Sequence, residues 1–234
     1  MPAERPFVFI NAAMSADGKI ATIERRQTRI SGSHDIDRVD ELRASSDAVM
    51  VGIGTILSDN PSLTVKSEKR REKRRADGRD ENPVRIVVDS MARTPLDADI
   101  FKKGEGKRII AVSESAPPEK VKQLAKRADI IILGEKSVNL KKLLEELKKR
   151  GVDRLMVEGG ATLNWGLISA GLVDEIYTFI GNIIIGGRNA PTLVDGDGCI
   201  SEFCKLLLIS CERPEEGVLV KWKVLGTHDL MLSG

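Results

Sequence analysis

The sequence predicts an α/β fold with a mostly parallel central sheet, helices on its flanks and antiparallel strands towards the C-terminal end. Three observations predict it. Apolar runs of strand length recur through the first two thirds, helical apolar stripes lie between several of them, and the last third returns to strand-like runs with no long helix between the later ones.

The runs Phe7–Ala12, Asp47–Val51, Val84–Val88, Arg108–Val112, Ile130–Leu133 and Arg154–Val157 are near-continuous in apolar character, which is the pattern of strands covered on both faces. Among the intervening helices, Leu140, Leu143, Leu144 and Leu147 repeat at i, i+3, i+4 and i+7, and Gly151 stops that helix. Another helix opens at Pro117 and Pro118, where no backbone N–H is needed, with Val121, Leu124 and Ala125 as its core face. Strand alternating with helix implies parallel pairing through crossovers. In the last third, Glu175–Ile180, Asn182–Ile185, Lys205–Ser210 and Val218–Val224 are expected strands of an antiparallel extension, with the edge near Tyr177–Ile185 at a subunit interface. The stretch Ser67–Pro83 carries both charge signs, one alanine and no aromatic. It is expected to be a charged surface insertion (67–82) within a single domain spanning 1–234.

Composition excludes several classes. With 234 residues, 41% apolar and 31% charged, the chain is long enough for one sizeable core. A net charge of only +2 gives no chain-wide field to attract nucleic acid or an anionic membrane, so anion binding must be local. No apolar run approaches the roughly 20 residues that cross a bilayer, and Met1–Phe9 lacks the features of a signal peptide. A cytoplasmic protein with no membrane or nucleic-acid partner is expected. The spacing of Cys199, Cys204 and Cys211 matches neither a zinc ribbon nor a Cys-x-x-Cys pair, so all three are expected to be buried as small apolar residues, and no metal site is expected.

Open α/β sheets place ligands at the carboxyl ends of their strands, which directs attention to three junctions. In RLMVEGGATLNWGL a strand meets Gly159 and Gly160 and then a helix with Leu163, Leu167 and Ile168 on one side. Bare N–H groups at such a helix start can face a pyrophosphate, although a Gly–Gly pair taken alone is better read as a tight strand-to-helix turn. In VGIGTILSDNPSLTV, Thr55 and Asp59 offer a hydroxyl and a carboxylate after Gly52 and Gly54, and Asn60–Pro61 fixes a turn. In VVDSMARTP, Asp89 and Ser90 follow a buried strand, with Arg93 as a cation for a ribose 2′-phosphate. Neither the Rossmann G-x-G-x-x-G nor the G-x-x-x-x-G-K-[ST] pattern occurs.

The blocks NAAMSADGKI, TRIS, ELRASSDAVMVGIGTILSDNPSLTVK, PVRIVVDSMARTP and RLMVEGGATLNWGLI, in that order from about Phe7 to about Gly187, resemble the reductase domain of riboflavin biosynthesis. The resemblance implies a dihydrofolate-reductase-like fold, a homodimer, NADPH as cofactor, and reduction of the ribosylamino side chain of a pyrimidinone 5′-phosphate to its ribityl form. Bacterial relatives are fused to a zinc deaminase with H-x-E and P-C-x-x-C motifs. Neither motif is present here, and His34 is followed by Asp35 and Ile36. That implies the free-standing type of archaea and fungi, which reduces before deamination.

Carried over by motif, the resemblance assigns Ala13, Thr55, Asp59, Ser90, Gly134, Gly159, Gly160, Ala161, Thr162 and Leu163 to the cofactor. It assigns Asn11, Gln27, Arg43, Leu63, Lys66 and Glu158 to the substrate. Arg43 suits the 5′-phosphate because a guanidinium offers a bidentate fork, and it reads otherwise as a helix-surface partner of Asp40. Lys66 reads otherwise as one more solvated lysine, Glu158 as a cap for the following helix, and Asp17 as a turn former. No proton donor is identified; Asp59 and Glu158 are the carboxyl groups to test. The alternatives are another pterin or pyrimidine reductase on the same scaffold and, from a different class, a nucleic-acid-binding module using the basic insertion.

Overall fold

The computed structural model describes residues 4–24, 28–198, 203–214 and 217–225. Among them, nine strands form: β1 (Phe7–Met14), β2 (Ala48–Gly52), β3 (Val84–Val88), β4 (Arg108–Val112), β5 (Asp129–Ile132), β6 (Arg154–Val157), β7 (Glu175–Gly181), β8 (Lys205–Glu212) and β9 (Gly217–Leu225). The helices are α1 (Ser33–Ser45), α2 (Ile53–Asp59), α3 (Glu68–Ala76), α4 (Asp99–Lys102), α5 (Pro118–Leu124), α6 (Leu140–Lys149) and α7 (Ala161–Ser169). The expected α/β class, mostly parallel with antiparallel C-terminal strands, is the observed one. The chain forms two compact units, one of residues 37–156 with the segment up to Pro6, the other of residues 7–36 with the chain from 157 onwards.

In the first unit the strands lie in the order β5-β4-β3-β2-β6, with β2, β3, β4 and β5 paired in parallel. Val49, Val51, Val87, Ile110 and Val112 have no exposed surface, which is why these strands read as unbroken apolar runs. Leu143, Leu144 and Leu147 bury the stripe of α6, and Asn139 caps it by accepting a hydrogen bond from the Lys142 N–H (3.0 Å). Gly151, at φ +83°, ends it.

Buried polar side chains hold the amino ends of these strands. Arg85 has no exposed surface and donates to the carbonyls of Ile100 (3.2 Å), Lys103 (2.6 Å), Gly104 (3.0 Å) and Glu105 (3.1 Å). Burial pulls its guanidinium down to about 10, so it is still a cation at neutral pH. Arg108 adds bonds to the carbonyls of Ile100, Gly104 and Gly106. Asp47 accepts from the Asp153 and Arg154 N–H groups and from Arg79. The charged stretch after Ser67 forms α3, whose Arg74 is buried and donates to the carbonyls of Ala44, Ser46 and Asp80.

In the second unit the order is β1-β7-β9-β8, with β1 and β7 parallel and the last two pairings antiparallel. Three expectations are corrected here. Asn182–Ile185 is not a strand: the Ile183 carbonyl accepts from Ala16, and the Ile185 and Gly186 N–H groups donate to Asp17, so its backbone groups are engaged by a turn instead of a ladder. The Tyr177–Ile185 region is not a sheet edge, because β7 lies between β1 and β9. The edge is β8. Cys204 and Cys211 are exposed instead of buried, since β8 carries exposed side chains along nearly its whole length; Cys199 lies outside the described residues.

Arg85→Met keeps the volume and removes the donors. It is expected to cost about 3 kcal/mol in denaturant unfolding, because buried carbonyls lose their partners. An unchanged midpoint would show that water satisfies those carbonyls equally well.

Candidate functional site

In the first unit the carboxyl ends of β2, β3, β4 and β5 are in register, with Gly52 opposite Val88, Val88 opposite Ala111 and Val112 opposite Ile132. This brings two of the three junctions named from the sequence, and the Gly134 turn after β5, to one end of the sheet. At the first, Gly52 is the N-cap of α2 and no side chain caps that helix. Thr55 and Asp59 lie on α2, both partly buried. Burial raises the proton affinity of Asp59 above that of an ordinary carboxyl, with a smaller opposing effect from the Ser58 hydroxyl.

At the second junction Ser90 is tied to its neighbours. Its carbonyl accepts from the Ser113 N–H (3.1 Å) and hydroxyl (2.8 Å), and its hydroxyl accepts from the Val138 N–H (3.1 Å). Asp89 is fully buried, and its Oδ2 accepts from the N–H (2.7 Å) and hydroxyl (2.8 Å) of Thr94. Arg93, half exposed, stands 3.8 Å from Asp89 Oδ1. Gly134 follows β5 at φ +87°, and a Cβ there would lie 2.3 Å from the Ser137 carbonyl oxygen. Only glycine fits that turn. Asn60, Leu63 and Ala92, with φ of 45°, 55° and 54°, add left-handed backbone to the same loops, a conformation that non-glycine residues adopt at a cost.

Of the substrate residues expected in this unit, Leu63 and Lys66 lie in the segment after α2 and Arg43 on α1. Leu63 is buried. Arg43 donates to the Thr64 carbonyl (3.3 Å). Asp40 accepts from the N–H groups of Lys66 and Ser67 and from Arg70 (3.0 Å). The Lys66 ammonium turns back to donate to the hydroxyls of Ser62 and Thr64, both at 2.8 Å. Those two hydroxyls were passed over in the sequence; they meet each other at 3.0 Å, and the left-handed Leu63 between them is what no spacing of residue types reveals.

In the second unit the chain continues from Val157, the last residue of β6, through Glu158, Gly159 and Gly160 into α7, which carries Ala161, Thr162 and Leu163 in its first turn. Gly160 is the N-cap and, as a glycine, brings no capping side chain of its own. Gly159 has φ +98°, and a Cβ there would meet nothing within 4 Å, so the backbone at this turn borders open space. An anion is the natural partner of such a helix start. On β1, Asn11 is buried and opposite Tyr177, and Ala13 is opposite Phe179. The Asn11 Oδ1 is buried with no hydrogen-bond partner, as is the Oδ1 of Asn164 on α7, whose amide donates to the Leu193 carbonyl (2.9 Å). Gln27 lies outside the described residues.

Asp17 proves to be a clasp. It accepts from the Ser15 hydroxyl (2.6 Å) and from the Ile185 (3.1 Å) and Gly186 (2.7 Å) N–H groups, which hold its carboxyl down at about 2. The Lys19 ammonium donates to the Ala190 carbonyl (3.0 Å), so the SADGK turn is fastened to the segment that follows β7.

A family model described as the RibD C-terminal domain matches residues 6–220. The chain is similar to a protein of Archaeoglobus fulgidus named 2,5-diamino-6-ribosylamino-4(3H)-pyrimidinone 5′-phosphate reductase, at 52% identity over 92% of this chain and 97% of that one. A protein of the same name from Methanothermobacter thermautotrophicus is 47% identical over 95% of this chain and 100% of its own length. Among solved structures, the riboflavin biosynthesis reductase Rib7 of Saccharomyces cerevisiae superposes with a TM-score of 0.71 at 21% identity, covering 96% of this chain and 92% of that one, which is a likeness of fold.

Because the fold raises the proton affinity of Asp59, its stabilising contribution is present below the ordinary carboxylate range and is lost as the pH rises through the raised value. Asp59→Asn is therefore expected to raise the melting temperature at about pH 7 and to leave it unchanged at about pH 3. A lower melting temperature at pH 7 would mean that the ionised carboxylate is satisfied in the fold.

Proposed function

The chain belongs to the RibD C-terminal domain family, and on that premise we propose that it reduces the ribosylamino side chain of 2,5-diamino-6-ribosylamino-4(3H)-pyrimidinone 5′-phosphate to the ribitylamino form in riboflavin biosynthesis, with NADPH as the reductant. The observation that carries this reading is identity of 52% along nearly the whole length of a reductase of that name. The glycine N-cap of α7 and the open space at Gly159 fit a dinucleotide pyrophosphate.

When bound, NADPH supplies a hydride, and the protein supplies geometry. By the motif resemblance the Gly159–Leu163 turn would hold the pyrophosphate by backbone N–H groups. Thr55, Asp59, Ser90, Gly134 and Ala13 would also serve the cofactor, and Arg93 would select the 2′-phosphate. Asn11 turns its unpartnered Oδ1 to a donor of the substrate, and Glu158 orients the pyrimidine or ribose. Holding the reacting groups at van der Waals distance lowers the barrier, by up to roughly 7–11 kcal/mol in ideal intramolecular cases. Asp59 and Glu158 act here as orienting carboxylates, and the proton comes from bound water. The setting is cytoplasmic; no helix among the described residues is long and apolar enough to cross a membrane.

The direct test is oxidation of NADPH and of NADH by the purified chain given the ribosylaminopyrimidine phosphate, with single-turnover rates for Asp59→Asn and Glu158→Gln. Turnover with NADPH preferred, and chemical rates retained in both variants at saturating ligand, is the expected result. No oxidation of either nucleotide would remove the assignment, and a lost chemical rate in one variant would make that carboxyl the proton donor.

The active form in this reading is a homodimer that covers β8. Leu206, Leu207, Leu208 and Ile209 are 40%, 54%, 51% and 49% exposed, and an antiparallel edge strand pairs readily with a second copy of itself. Sedimentation is expected to find dimers at micromolar concentration and monomers for the double variant Leu207→Lys, Ile209→Lys. A monomeric unsubstituted chain would rule this out.

A further inference from the structure

The α4–β4 connection approaches the Arg43–Lys66 cluster closely, and several independent contacts fix that approach. Asn82 is buried and bridges the two segments, its Oδ1 accepting from the Val65 N–H (2.9 Å) and its amide donating to the Glu105 carbonyl (3.0 Å). Gly104, at φ +69°, lies against Thr64 so tightly that a Cβ would stand 2.6 Å from the threonine methyl. Arg85 and Arg108 clamp the carbonyls of residues 103 to 106 from behind. The loop is thus a rigid support, and what it presents is Lys103.

Lys103 is 60% exposed and pairs with Asp99 at 2.6 Å, one helical turn back on α4. It is close enough to Lys66 to disfavour the charge there: partial burial first, then Arg43, then Lys103 lower the proton affinity of the Lys66 ammonium. Asp40, the other carboxylate near Lys66, is committed to the Lys66 and Ser67 N–H groups and to Arg70. Arg43, Lys66 and Lys103 therefore gather near the paired hydroxyls of Ser62 and Thr64 (3.0 Å apart), with Asp99 set against Lys103, while a fourth cation, Arg71, is engaged by Glu68 and the Val65 and Lys66 carbonyls. Like charges held together by a rigid frame repel, and a phosphate dianion among them would relieve the repulsion and accept from ammonium, guanidinium and hydroxyl groups alike.

We propose that Lys103, carried by the clamped α4–β4 loop, is a further binding residue for the phosphate of the substrate, completing with Arg43, Lys66 and the hydroxyls of Ser62 and Thr64 a site for a phosphate monoester. The inference rests on the reading of this chain as a reductase of a phosphorylated pyrimidine and adds to it a residue that the motif resemblance did not assign. Lys103 leaves Asp99 for the phosphate when the ligand arrives. Its role is to raise affinity at the end of the substrate remote from the reaction, so it acts on KM and leaves kcat largely alone.

The experiment compares the unsubstituted protein with Lys103→Gln and Lys103→Arg, each verified to melt at the same temperature. Titration calorimetry with inorganic phosphate is run alongside steady-state kinetics with the phosphorylated substrate. Loss of one charge-assisted contact is expected to weaken phosphate binding and to raise the substrate KM by roughly tenfold in Lys103→Gln, with the KM for NADPH unchanged and most of the loss recovered in Lys103→Arg. Two results overturn the inference: phosphate affinity and substrate KM unchanged in Lys103→Gln, or a rise confined to the KM for NADPH. Failure of the reductase reading is separable. A protein that turns over nothing, yet binds inorganic phosphate in a Lys103-dependent manner, retains the site and loses the reaction.

Discussion

Strands covered on both faces leave almost no room for polar side chains between their ends, and that constraint organises the molecule. In the first unit the middle of the sheet is valine, isoleucine and leucine without exposed surface, so charged groups are displaced to the strand ends. There the backbone leaves its ladders and its carbonyls and N–H groups need new partners. Arg85 and Asp47 answer that need at the amino ends, and Asp89 answers it after β3. A buried ion costs several kcal/mol of desolvation unless fully engaged, and these side chains are engaged mainly with backbone. The result is a set of turns that cannot drift.

Rigid turns are what the proposed chemistry requires. Hydride transfer depends on the distance and alignment of two ligands, so the protein's contribution is the placement of contacts, and a loop that wandered by an ångström would lose it. Glycine serves this in different ways. Gly134 sits where any side chain would strike the Ser137 carbonyl, a requirement of the fold. Gly159 borders open space, where a Cβ would meet nothing within 4 Å, so its glycine is favoured by the φ of +98° alone. The same positive φ is enforced by a close contact at one position and by backbone conformation without any contact at the other.

Surface charge plays a smaller part. The pairs along α3, among them Arg75 with Glu68 and Glu81, are exposed and of the kind that contributes about 0–1 kcal/mol each. Arg74 differs, since its guanidinium is buried against three carbonyls and fastens the charged segment to the end of α1 and the start of β2. A stretch of sequence with one apolar residue is thereby held by hydrogen bonds instead of by hydrophobic burial.

Several features were legible from residues alone because they are local. The apolar runs of β1 to β6, the leucine stripe of α6, the proline start of α5 and the glycine turn before α7 each follow from the periodicity or backbone preference of a few neighbours. The ordered blocks NAAMSADGKI through RLMVEGGATLNWGLI carried the family and the reductase chemistry in the same way. Other features were decided only by the tertiary structure. Asn182–Ile185 has the composition of a strand, but its backbone groups are taken by Ala16 and Asp17, residues far away in the chain. The cysteines of the C-terminal region look like core residues, and the two that are described are exposed because the strand that bears one of them lies at an edge. Lys103 and Lys66 are separated in the chain by two helices and a strand, and the Asn82 bridge and the contact of Gly104 with Thr64 bring their segments together. Local pattern determines what each segment can form, while strand order and long-range hydrogen bonds determine which segments meet; those depend on pairings between distant residues that no window of sequence contains.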